Sequence, residues 1–296
     1  MTVDRRTVLR STARLAALTA TGALASSACA DTAEKTAQEP VSFAARVQPS
    51  HLSTVGPVAA GLPPTPAAPS PPAGAAPTSA SPSAATGATA SPPLAAGTPD
   101  EVVNGPRDRR EVALTFHGQG DPALATAVLV AAEQHGARLT VLAVGSWLDQ
   151  HPEIARRILD GGHELGNHTQ NHLDISAMPA DRARAEIAQC AERLQRLTGS
   201  IGRWFRPSAA QYATPMVREQ ARLVGYQHCL SFDVDPRDYT DPGAEVVQRR
   251  VLKAVSGGSV VALHMGHRGT ADALPGVLDG LSQLGLRAVT ASQLCA

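Results

Sequence analysis

Two histidines stand four apart in His168-Thr-Gln-Asn-His172, and one helical turn would bring both imidazoles to a single cation. Neutral imidazole nitrogens suit zinc, cobalt or nickel. Further groups able to move protons or carry charge fall just after apolar runs: His117 after Phe116, Arg206 after Phe205, Asp233, Asp235 and Asp238 after Phe232, and His264 after Leu263. A histidine near its reference pKa serves as a general acid or base at neutral pH, and a carboxylate beside it favours the imidazolium. With a cation, these residue types could activate water and move protons. Asp121 adds a carboxylate just beyond His117, directly before Pro122, where aspartate also commonly caps a helix.

The elements that must position these residues alternate. Residues 111–116, 138–144, 163–167, 203–205, 226–232, 259–264 and 286–289 read as strands, and 122–135, 152–159, 180–197, 215–223, 244–255 and 271–284 as helices. Strands separated by helices imply a parallel sheet, and about seven such units in one domain close better as a barrel than as an open sheet. Chemistry in that architecture sits at the C-terminal ends of strands, where the histidines, Arg206 and the aspartates fall.

The rest of the chain is of another kind. Between Arg46 and Asp100 there is no Asp, Glu, Lys or Arg, and 14 of the 23 prolines lie from Pro40 to Pro99. Such a stretch cannot bury enough apolar surface to offset chain entropy, so residues 31–105 read as a low-complexity tether and 106–296 as the folded domain. The start, with Arg5-Arg6 ahead of an Ala-rich run, reads as a twin-arginine export signal over residues 1–30, ending in cleavage after Ala30 or lipidation at Cys29. Membrane association is expected only through that signal or lipid. The 26 basic and 26 acidic residues cancel, with no basic stripe interleaved with aromatics, which sets nucleic acid aside. Cys190, Cys229 and Cys295 are widely spaced and read as buried thiols, with one disulfide open to an exported chain.

Gly161-Gly-His-Glu-Leu-Gly-Asn167, leading into His168 and His172, resembles the second motif of the polysaccharide deacetylases, carbohydrate esterase family 4, the nodulation-type chitooligosaccharide deacetylase homology domain. Val112-Ala-Leu-Thr-Phe116 looks like the strand of the first motif, Trp204-Phe-Arg-Pro207 like the third, Asp235-Pro-Arg-Asp-Tyr239 like the fourth, and Gly258-Ser-Val-Val-Ala-Leu-His264 like the fifth. The resemblance implies a distorted (β/α)7 barrel and a metal-dependent deacetylase of N-acetylglucosamine polymers or O-acetylated xylan. It implies that His168 and His172 bind the metal, Arg206 orients the base, and backbone N–H groups near Ser208 and Ala209 hold the oxyanion. His264 would protonate the leaving group with Asp235 as its partner.

The first motif departs from the family. Where the family reads Thr-Phe-Asp-Asp-Gly, this chain has Thr115-Phe-His-Gly-Gln-Gly-Asp121, which puts His117 at the base position and Gly118 at a metal-ligand position. Three readings follow. His117 is the third ligand and Asp121 the base; or Asp121 reaches the metal through the glycines and His117 is the base; or nothing replaces the carboxylates. The expected function is an exported metal-dependent deacetylase of an acetylated cell-envelope polysaccharide, and the alternative is a non-catalytic glycan-binding or scaffold protein on the same fold.

Overall fold

The computed structural model describes residues 91–296. The expected export signal, Cys29 and the tether as far as residue 90 lie outside the described residues. Strand β2, Glu111–Gly118, is buried from Val112 onward and forms the spine of the sheet. A strand of a parallel sheet covered on both faces needs such a continuous apolar run. Alternation then sorts its side chains. Val112, Leu114 and Phe116 join the core under the helices, while Ala113 packs in a second core with Leu142, Trp204, Val260 and Ala262. Thr115 and His117 share the face of Ala113, so the same period of two aims His117 inward.

The other strands are β1 Glu101–Val102, β3 Thr140–Ala143, β4 Glu164–Asn167, β5 Trp204–Phe205, β6 His228–Leu230, β7 Val260–His264 and β8 Arg287–Ala288. Their order is β1-β6-β5-β4-β3-β2-β7, with β8 on the start of β2, and every named strand pair is parallel. The helices are α1 Pro122–Gln134, α2 Gly145–Gln150, α3 Pro152–Asp160, α4 Ala180–Thr198, α5 Pro215–Val224, α6 Ala244–Ala254, α7 Arg268–Gln283 and α8 Ala291–Leu294. Helix α4 shows why they dock: Ala183, Ile187, Cys190, Ala191 and Leu194 form one buried stripe at helical spacing, and Gly199 ends the helix in a left-handed cap at φ 81°.

The sheet is a half-barrel rather than a fully paired seven-fold barrel. Across the seam between its edges, two isolated bridges form among the described residues, Val234 with Val261 and Asn104 with Ser259. Asp233 braces this seam: it accepts hydrogen bonds from Arg107 (2.8 Å), Ser259 Oγ (3.1 Å) and the Val260 N–H (2.7 Å). It is therefore a structural tie, not a site residue. Strand β1 lies ahead of residue 106, where the sequence sets the start of the domain, because Glu101 and Val102 pair with Cys229 and Leu230. At the opposite end of the strands from the histidines, buried Glu164 accepts from Thr140 Oγ1 (3.0 Å) and from the Ser292 N–H (3.1 Å) and hydroxyl, tying α8 to the sheet. Cys190, Cys229 and Cys295 are all buried free thiols, so the disulfide left open by the sequence does not form among the described residues. Burial pushes the Cys190 and Cys229 thiols up to about 12.

Candidate active site

His117 and His264 are register partners on β2 and β7, and His117 Nδ1 lies 2.7 Å from His264 Nε2. Arg206, wholly buried after β5, places Nη1 3.1 Å from His117 Nε2. These contacts fix the protons. Guanidinium can only donate, so His117 Nε2 is the acceptor and the ring carries its hydrogen on Nδ1, donated to His264 Nε2. His264 must then hold its hydrogen on Nδ1, which it donates to Asp238 Oδ1 at 2.8 Å. A hydrogen-bonded file results, running from Arg206 through His117 and His264 to Asp238.

Both ends of the file are anchored. Asp238 Oδ2 accepts from the His264 N–H and from Thr270 Oγ1, each at 2.7 Å, and the carboxylate is buried. Arg206 also donates from Nε to Leu230 O (2.8 Å) and from Nη2 to Thr115 Oγ1 (2.8 Å) and Ser231 O (3.1 Å). Burial pulls its guanidinium down to about 9, which leaves it charged at neutral pH. Burial first, then the neighbouring histidines and Arg206, holds His117 well below the usual imidazole range.

The expected pair is present but not on a helical turn. His168 and His172 lie in the loop after β4, where Thr169 and His172 take left-handed φ values of 68° and 55°. That turn brings the rings to 4.9 Å between centroids. Helix α4 holds the loop: Glu186 accepts from the Asn171 N–H (2.8 Å) and Nδ2 (2.7 Å), and its carbonyl accepts from the Gln170 N–H (3.0 Å). Asn167 Oδ1 accepts from the Thr169 N–H (2.9 Å), while its Nδ2 donates to Tyr226 Oη at 3.0 Å. His168 donates from Nδ1 to the Arg206 carbonyl (3.0 Å), the backing by which a protein orients a metal-binding imidazole. Its Nε2 lone pair is buried and has no partner. Such an acceptor costs about 1–3 kcal/mol unless a cation or donor meets it. Burial holds both His168 and His172 below their ordinary value, hence neutral and ready to donate to a metal. These two donors fit a divalent cation. No group of three or more His, Cys, Asp or Glu able to hold a metal ion occurs among the described residues.

Two expected residues stand elsewhere. Asp235 is exposed, and its Oδ1 accepts the Arg237 N–H at 2.7 Å, so Asp238 and not Asp235 is the partner of His264. The reason is the short 3-10 turn Asp238–Thr240 between Arg237 and Asp241, both left-handed, which folds the second aspartate of the motif inward. Asp121 is exposed and caps α1 by accepting the Ala123 N–H at 2.8 Å. At the expected oxyanion position, Ala209 takes a left-handed φ of 56°, and Thr169 Oγ1 donates to Ser208 Oγ at 3.1 Å. Thr270 and Glu186 escape the sequence reading, while Asp238 stands in it only as a strand-end carboxylate and Asn167 only as the last residue of the second-motif stretch.

Fold and site together define a class, parallel half-barrels with their chemistry-bearing side chains gathered at the C-terminal ends of the strands. The chain belongs to the polysaccharide deacetylase family, whose sequence model matches residues 104–229. It is 32% identical over 193 residues to a peptidoglycan-N-acetylglucosamine deacetylase of Bacillus cereus, covering 64% of this chain and 90% of the relative. A solved peptidoglycan N-acetylglucosamine deacetylase superimposes with a TM-score of 0.62 at 27% identity, over 66% of this chain and 92% of that one. A carbohydrate esterase family 4 pseudoenzyme from Bacillus anthracis shares the fold, with a TM-score of 0.63 at 22% identity, over 67% of this chain and 70% of that one.

Proposed function

We propose that this protein is an exported, metal-dependent deacetylase that removes acetyl groups from N-acetylglucosamine units of a cell-envelope glycan. The observation that carries this reading is the buried, partnerless Nε2 of His168 beside His172, next to a histidine pair backed by Asp238. The relatives that act on peptidoglycan support the substrate class. Arg5-Arg6 and the Ala-rich run after it support export.

His168 and His172 would hold the cation, zinc, cobalt or nickel by donor type, and when bound it would supply Lewis acidity toward the acetyl carbonyl. Net hydrolysis adds water to the acetyl carbon, breaks the C–N bond, and returns one proton from the water to the departing amine. His264 is the residue that delivers it. Asp238 holds the His264 ring through its Nδ1–H, and Nε2 is the atom that takes up the proton from the water and passes it to the leaving nitrogen once substrate parts it from His117. Arg206 keeps the His117 ring fixed at the position of the family's base.

A second reading has its own support. Gly118 brings no carboxylate to a family ligand position, and both nitrogens of His117 are engaged, which favours a glycan-binding protein without turnover. Acetate release from peptidoglycan fragments and chitooligosaccharides by the full chain separates the two. Release that a chelator abolishes, zinc restores and His168→Ala lacks supports the deacetylase. Binding of the same glycans without release, unchanged in His168→Ala and His172→Ala, selects the second reading.

A further inference from the structure

We propose that His168 and His172 are the entire protein ligand set for the cation of this site, with His117, position 118 and Asp121 all withheld from it. The inference rests on the deacetylase reading and concerns how the chain departs from the three protein ligands of an ordinary catalytic zinc site.

His117 is withheld by its bonds. Its Nε2 lone pair already accepts from the buried Arg206 guanidinium, which meets no carboxylate among the described residues, and a cation cannot share that lone pair with a second positive group. Its Nδ1 carries the hydrogen given to His264. The ring also stacks on His168, with centroids 4.4 Å apart and planes 11° from parallel. In-plane lone pairs on two parallel stacked rings run side by side and do not converge on one ion.

Position 118 is withheld by packing. A Cβ there would lie 2.8 Å from Val141 Cγ1 and 3.1 Å from both Ala143 Cα and Trp147 Cζ3. Glycine is what this strand end admits, so the missing carboxylate is built into the neighbouring strand and helix.

Asp121 is withheld by the loop that carries it. The Gly120 carbonyl accepts the Trp147 Nε1–H at 2.8 Å, and a Cβ on Gly120 would come within 2.5 Å of Gly266 Cα. The loop is therefore wedged between α2 and the chain after β7 and does not act as a hinge. Beyond it, the Asp121 carboxylate is already engaged as the cap of α1.

The test is zinc titration of the full chain by competition with a chromophoric chelator, with cobalt absorption as a second readout and acetate release measured in parallel. Wild type, His168→Ala, His172→Ala, His117→Gln and Asp121→Asn are compared, each checked for folding by circular dichroism. His117→Gln keeps a side chain that can accept from Arg206, and Asp121→Asn keeps the helix cap. One zinc per chain, lost in the two loop variants and held within about threefold in His117→Gln and Asp121→Asn, is the expected result. A fall of about a hundredfold or more in either of the last two overturns the inference and leaves the deacetylase reading standing. A wild-type chain that neither binds zinc nor releases acetate overturns both.

Discussion

His264 takes its hydrogen-bond partner from three residues into the aspartate motif, not from its first position: Asp238 Oδ1 lies 2.8 Å from His264 Nδ1, and Asp238 Oδ2 receives the His264 backbone N–H at 2.7 Å. Two contacts from one buried carboxylate fix both the ring and the strand end beneath it. Asp238→Asn should therefore lower kcat by about 10²–10⁴, the usual weight of a general acid that has lost its support. Asp235→Asn should leave kcat within about twofold. Equal losses in acetate-release kinetics for the two variants would contradict the assignment.

Adding the family carboxylate back should fail. Because a Cβ at Gly118 meets Val141 Cγ1 at 2.8 Å, Gly118→Ala should cost about 1–3 kcal/mol by overpacking. Gly118→Asp should cost more and gain no zinc affinity. Urea denaturation reads the first effect, and Val141→Ala in the Gly118→Ala background should recover part of it.

The domain should lose stability in mild acid through His163. Its Nδ1 accepts the Leu139 N–H at 3.0 Å, its Nε2 meets Glu133 at 3.3 Å, and burial brings its pKa from 6.5 down to about 4. Above pH 6.5 the ring is neutral whether the chain is folded or not, so the full stability is present. Below that the unfolded chain binds a proton that the folded one refuses. Stability then falls with pH, by up to about 1.4 kcal/mol per unit, until the folded ring titrates near 4. Denaturation midpoints from pH 7 to pH 4 measure the slope, and His163→Gln should flatten it.

Glu164 should be sensitive to a change that barely alters its shape. Every group around its carboxylate donates: Thr140 Oγ1, the Ser292 N–H and the Ser292 hydroxyl. Glutamine would turn an NH2 toward one of these donors, so Glu164→Gln should destabilise by about 1–3 kcal/mol. Chemical denaturation of the variant tests this, and a neutral result would mean that α8 is held by its apolar contacts alone.

The alternation of elements and the strand ends carrying His117, Arg206 and His264 are legible in the sequence because both follow from periodicity and from residue type. Three features are not. The pair His168 and His172 has helical spacing yet sits on a loop with two left-handed residues, since its hydrogen bonds come from Glu186 on α4 and not from a local helix. Asp235 and Asp238 look interchangeable until the 3-10 turn between left-handed Arg237 and Asp241 decides which faces inward. The closure of position 118 depends on Val141, Ala143 and Trp147, which lie more than twenty residues further along the chain. Strand β1 and helices α2 and α8 are too short to leave a periodic trace.

Strand β1 has a mechanical consequence. Its pairing with β6 is secured by the Cys229 N–H on Asp100 O and the Ser231 N–H on Val102 O, each at 2.7 Å, with Arg222 meeting Asp100 at 2.8 Å and Arg218 meeting Glu101 at 3.0 Å. Tension arriving along the backbone from the residue 91 side is thus shared between Cys295 O, which receives the Ala95 N–H at 2.9 Å, and β6 with α5, before it reaches β7 through the seam bridge of Asn104 with Ser259.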